Sequence, residues 1–171
     1  LDNVRSACAD LGVDLHIAST PHMNAIFVDS LRRHANVCDG CYKTIYTLSM
    51  RLARERGIDT IVTGLARGQL FETRLADSFA VREFDPDVID AWIREARTAY
   101  HHIDDAVYEL LETDLFDDES IFDDIGFVDF YRYVDVDLDE VYRYLTNDTV
   151  WVRPPDTGRS TNCLINDVGI H

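Results

Sequence analysis

Residues 38 to 68 read CDGCYKTIYTLSMRLARERGIDTIVTGLARG: a helical run, a glycine stop, a four-residue apolar strand and a second glycine-bearing turn. This order constrains the fold most, because a helix feeding directly into a short apolar strand suits an α/β arrangement. Ile45, Leu48 and Leu52 recur at helical spacing and predict a helix from 40 to 56, stopped by Gly57. A strand is expected over 60 to 63, with Gly64 opening the turn at its carboxyl end.

The flanking sequence extends the pattern. Leu1, Val4, Cys8 and Leu11 mark a helix that stops at Gly12, and VDLHIAS after it reads as a short buried strand. Another helix is expected from 21 to about 34. Asp85 and Pro86 suit the cap and first position of a long helix whose stripe runs through Ile89, Trp92, Ala96, Ile103, Val107 and Leu110. TDLFDDESIFDD then reads as a solvated connector, GFVDFYRYV as a strand and 138 to 145 as a short helix. The tail from 147 to 163 is turn-rich and polar. Helices alternating with short strands argue for a parallel sheet covered on its faces.

Cys38 and Cys41 open the helix, where free N–H groups and the helix dipole favour a thiolate. A third cysteine, Cys163, stands far along the chain in PPDTGRSTNCLIND. Three thiolates and one open position suit an iron–sulfur cluster with an exchangeable iron, and a tetrahedral zinc completed by histidine or carboxylate is the rival. The plainer alternative is two small buried residues on a helix face. His34 reads as a surface or capping residue, and Cys8 as core. Thr63, Gly64, Arg67 and Gly68 end the strand and turn, the place where open parallel sheets bind ligands. The glycines admit close backbone approach, and Arg67 offers a fork to phosphate. Arg153, Arg159, Ser160 and Thr161 form a second donor-rich patch.

Four cysteines in 171 residues, two of them in C-x-x-C, favour metal or redox chemistry in a reducing compartment, so the cytoplasm is expected. No run approaches the apolar length of a membrane span. A formal net charge of -16 repels nucleic-acid backbones at long range. An Asp-rich chain whose only lysine is Lys43 also looks adapted to high salt, where screening shortens that reach.

CDGCYKTIYTLSMRLARERGIDTIVTGLARGQLFETRL resembles the central part of the PP-loop ATP pyrophosphatases of the adenine nucleotide alpha hydrolase-like superfamily. The branch of tRNA 2-thiolation enzymes, related sulfur transferases and N-acetyl sugar amidotransferases is the most similar. There a C-x-x-C helix precedes a strand ending in a glycine turn and a Glu–Thr pair, here Glu72 and Thr73. The resemblance covers about residues 1 to 75, and the Cys163 loop more loosely. It implies a Rossmann-like (HUP-type) parallel-sheet domain with residues 1–80 on the nucleotide side and 81–171 a helical and loop extension of the same domain. It further implies ATP bound beside Thr63, Gly64, Arg67, Gly68 and Glu72, and a [4Fe-4S] cluster, or zinc, on Cys38, Cys41 and Cys163.

The implied activity is that of a transferase or ligase which adenylates an oxygen and lets sulfur displace AMP. An amidotransferase-like enzyme with structural zinc is an alternative, and so is a noncatalytic metal-stabilised module needing a partner. A small-molecule or carrier-bound acceptor is favoured over tRNA, with a sulfur or ammonia donor protein and a second copy of the chain as the allowed partners. Two departures stand out. The S-G-G-x-D-S phosphate loop is absent, which leads to the expectation that it lies upstream of residue 1. Leu65, Gly68 and Gln69 replace the histidine and aspartates of the thiolation enzymes' turn, leaning toward the arginine-bearing turn of PAPS reductase-like relatives.

Overall fold

A computed structural model describes residues 2–65, 86–111 and 114–152, without the side chains of 86, 87 and 89. The chain divides into two compact units, Thr20–Tyr133 and the stretches on either side of it. Among the described residues the architecture is mixed, with seven α-helices and a two-stranded parallel sheet.

In the Thr20–Tyr133 unit, α2 (Met23–His34) and α3 (Cys38–Arg56) are consecutive helices joined by three residues and packed on each other. α2 stops where Ala35 turns left-handed at φ 53°, and α3 stops at Gly57, φ 66°. At that second stop the Ile58 N–H donates to the Ala53 carbonyl, the closing bond of a glycine-capped helix end. The two helices meet closely at Gly40, where an added Cβ would lie 2.8 Å from Ile26 Cγ2 and 3.3 Å from the Ile26 carbonyl oxygen. Ser30 fixes the approach, donating to the Asn36 carbonyl at 2.5 Å and accepting from the Gly40 N–H at 3.1 Å. The glycine of the C-x-G-C stretch is therefore a packing residue.

β1 (Thr60–Thr63) pairs in parallel with β2 (Gly126–Asp129), in the register Thr60↔Gly126 to Thr63↔Asp129. Between them run α4 (Pro86–His101), α5 (Ala106–Leu110) and α6 (Ile121–Asp124). The inner residues Ile61 and Phe127 pack on a core of Met50, Ala53, Phe116, Ile121, Phe122 and Ile125. A second cluster of Ile26, Val107 and Leu111 joins α2 to α5.

Several expectations are corrected here. The long helix breaks after His101, because Asp105 adopts an extended backbone and its carboxylate caps α5, accepting from the Val107 and Tyr108 N–H groups. Ile103 thereby falls outside both helices and is exposed. The cap Asp85 and the side chain of Ile89 lie outside the described residues. TDLFDDESIFDD is no solvated connector: its aspartates face water while Phe116, Ile121 and Phe122 enter the core. The strand of GFVDFYRYV stops at Asp129 and tightens into a 3₁₀ turn over Phe130–Arg132.

Nor do the buried helix faces follow the apolar stripes. α3 buries Lys43, Thr44, Tyr46, Thr47, Met50 and Ala53, whereas Ile45 is 52 % exposed. α4 buries Ile93, Arg97 and His101, one position round from the expected stripe. The two polar groups of α4 go inside against aromatic rings. His101 stacks on Phe116 at 4.2 Å, and the Arg97 guanidinium lies 3.7 Å over the Phe127 ring.

The other unit contains α1 (Asp2–Leu11) and α7 (Leu138–Asp148), the latter capped by Asp137. The Asn3 amide clasps the backbone of Val152, donating to its carbonyl at 2.6 Å and accepting from its N–H at 3.0 Å. Cys8 is half-buried on a helix with no buried residue, so it is not core. VDLHIAS forms no strand. Among the described residues the sheet holds β1 and β2 alone; the Val13 N–H donates to the Cys8 carbonyl at 3.0 Å at the end of α1, and Val13 and Ile17 are exposed.

Candidate functional site

Tyr42, Ile45, Tyr46 and Ser49 follow one another at i, i+3, i+4 and i+7, so α3 turns all four to one face. Across from that face lies the end of β1. Together they enclose a cavity of about 290 Å³, completed by Ile61, Val62, Thr63, Gly64, Leu65 and Phe127. Its walls are mainly aromatic and aliphatic, with hydroxyls and the Gly64 backbone as the polar elements. No charged side chain is among the described lining residues, and this lining suits an uncharged ring. The exposure of Ile45 is thus the floor of a cavity.

A positive charge backs the wall. Arg97 is buried behind the cavity, its guanidinium 3.7 Å from the centroid of Phe127 and 5.5 Å from that of Tyr46, and the two rings are themselves 5.3 Å apart. At the strand ends, Thr63 donates to Asp129 Oδ1 at 2.6 Å. Asp129 is 2 % exposed.

Cys38 and Cys41 begin the same helix face, one turn before Tyr42 and Ile45. Both are half-buried thiols with no disulfide between them. The helix start is held by Asn36, whose Oδ1 accepts from the Cys38 N–H at 2.8 Å, and by Tyr100, whose hydroxyl donates to the Asp39 carbonyl. His34 Nδ1 stands 4.0 Å from Asp39 Oδ2. Among the described residues no three His, Cys, Asp or Glu side chains gather to hold a metal ion. The two thiols have the chemistry of cluster or zinc ligands and would fill two such positions. Cys163, the third, lies outside the described residues, as do Arg67, Gly68 and Glu72 and the Arg153 to Thr161 patch.

A charged network anchors α3 on the side away from the cavity. The buried Lys43 ammonium donates to the Ile103 carbonyl at 2.7 Å and to Asp105 Oδ2 at 2.8 Å, and lies 5.7 Å over the Tyr100 ring. Burial pushes its pKa down, with Asp105 acting in the opposite sense. Asp29 takes the Arg33 Nε–H at 2.9 Å and the Ala106 N–H at 3.0 Å, and both hold its carboxyl below the ordinary carboxylate range. Arg33 in turn donates to the Asp104 carbonyl.

The structure therefore brings Thr63 and Gly64 to one cavity and puts Cys38 and Cys41 on the helix that walls it. Sequence reasoning missed Tyr42, Tyr46 and Asp129. The aromatic pair at i, i+4 and an aspartate at the carboxyl end of an apolar strand were the available signals. Comparison with family models, with curated proteins and with solved structures finds no match to the chain. No helix among the described residues is long and apolar enough to cross a membrane.

Proposed function

We propose that the chain carries the nucleotide side of an ATP-dependent adenylating enzyme of the PP-loop type, built on a Rossmann-like sheet and working in the cytoplasm. One observation carries the reading: a single face of α3 runs from the Cys38 and Cys41 thiols into a ring-sized cavity at the carboxyl end of a parallel strand. Parallel sheets bind ligands at that end. The adenine ring would enter between Tyr42, Tyr46 and Phe127, with Thr63 and Gly64 at its polar edge. Arg67, Gly68 and Glu72 would extend the nucleotide side. Cys38, Cys41 and Cys163 would hold an iron–sulfur cluster, which would supply the sulfur that takes the place of the adenylated oxygen on carbon, the oxygen leaving with AMP. The chain's own contribution is to hold the ring out of water and to orient it, since catalysis in such a site is largely positioning and charge stabilisation. The acceptor is a small molecule or carrier-bound group, in keeping with the net charge of -16.

The test is metal analysis and absorption spectroscopy of the full chain purified without oxygen, alongside calorimetric titration with ATP. Expected are about four irons per chain, lost in Cys38→Ala, Cys41→Ala and Cys163→Ala, and saturable ATP binding. About one zinc per chain would instead support the amidotransferase-like alternative. Absence of both metal and ATP binding would refute the reading.

A further inference from the structure

Thr63 closes β1 and Asp129 closes β2, and the parallel register sets them side by side. The Thr63 hydroxyl donates to Asp129 Oδ1 at 2.6 Å. In this bond the hydroxyl gives the hydrogen and the carboxyl oxygen takes it. Thr63 lines the cavity, whereas Asp129, 2 % exposed, is held behind it. With its proton committed to Asp129, Thr63 can offer an occupant only a lone pair. Among the described residues the one other bond to this oxygen is a long one, from the Leu65 N–H at 3.5 Å.

We infer that Asp129 is a specificity-determining residue: by taking the Thr63 proton it makes the polar end of the cavity a hydrogen-bond acceptor, selecting a heterocycle whose edge carries an N–H donor. The inference rests on the nucleotide reading of the cavity and adds which edge of the base is recognised and by what device. Thr63 is partly buried, so a ring without that donor would cover its oxygen and leave the lone pair unmatched, and a polar group buried without its hydrogen bond is costly.

The experiment is calorimetric titration of the full chain with ATP and with purine riboside 5′-triphosphate, which lacks the 6-amino group. ATP is expected to bind roughly tenfold more tightly. Asp129→Asn can turn an amide N–H toward Thr63, freeing the hydroxyl proton, and the preference should fall to within about twofold. Thr63→Ser keeps the hydroxyl and should keep the preference; Thr63→Val should lose it. Thermal melting identifies which variants are folded, and the wild-type comparison decides even if Asp129→Asn is not. Equal affinity of the wild-type chain for both nucleotides overturns the inference and leaves the nucleotide reading standing. A preference that persists in Asp129→Asn or Thr63→Val also overturns it. Binding of neither nucleotide overturns both.

Discussion

Asp105→Ala is expected to destabilise the Thr20–Tyr133 unit far more than Lys43→Met, although both break the same ion pair. The Lys43 side chain is 1 % exposed and that of Asp105 is 14 %. Burial lowers the Lys43 pKa by more than the hydrogen bond and charge of Asp105 raise it, so hiding the ammonium costs more than the pair returns. Methionine has a similar reach and removes that cost, while Asp105 keeps its two backbone donors at Val107 and Tyr108. Lys43→Met should therefore stay within about 1.5 kcal/mol of the parent. Asp105→Ala removes a helix cap worth about 1 kcal/mol and strands a buried ammonium, at about 3–5 kcal/mol. Deprotonation limits the second cost: bringing a group from its ordinary pKa of 10.5 to neutrality at pH 7 takes roughly 5 kcal/mol. The expected loss is about 4–6 kcal/mol. Urea unfolding followed by circular dichroism, with slopes compared so that only midpoints are interpreted, measures both variants. Equal losses in the two would refute the reasoning. The pH dependence gives an independent check. With the folded pKa depressed, the unfolded chain binds more protons between that value and 10.5, so stability rises with pH through this window. Below the folded pKa the full burial cost is present. Lys43→Met should abolish the rise.

Gly40→Ala gains about 1 kcal/mol in helix propensity, but its Cβ meets Ile26 Cγ2 at 2.8 Å and Ser30 Cβ at 3.1 Å. Overpacking of about 1–3 kcal/mol should outweigh the gain, and thermal melting should show a lower midpoint; an unchanged or higher one would mean the helix pair yields freely. Asp29 has a carboxyl pKa held below 3.8 by the Arg33 hydrogen bond and the Ala106 N–H. Its contribution is therefore fully present above 3.8 and lost as pH falls through the folded value. Asp29→Asn should be less stable than the parent at neutral pH and converge on it in acid. A constant difference across the titration would rule that assignment out.

Local chemistry was legible wherever a single residue decides a backbone state. The left-handed stops at Gly12 and Gly57, the strand over Thr60–Thr63 and the start of α4 at Pro86 follow from residues whose conformational limits hold in any fold. The α5 cap at Asp105 was equally present in the sequence, hidden by an apolar periodicity that ran through it. Of the site, Thr63 and Gly64 were found because strand, glycine and turn are consecutive in the chain.

What tertiary structure decided was which face of each helix goes inside. Ile45, Leu48 and Leu52 on α3 promised one face, and the fold buried another containing Lys43 and Thr47. A charged group enters a core only if its partner arrives, and the partners of Lys43 lie 60 and 62 residues away at Ile103 and Asp105. The burial of Arg97 likewise depends on Phe127, and the pairing of Thr63 with Asp129 on a parallel register that no local pattern specifies. The sequence by itself determined the helix limits at Gly12, Gly57 and Pro86 and the run of β1, because those are set by backbone sterics within a few residues. The cavity and its polar edge are products of contacts between distant segments, whose energies exist only once the chain has closed on itself.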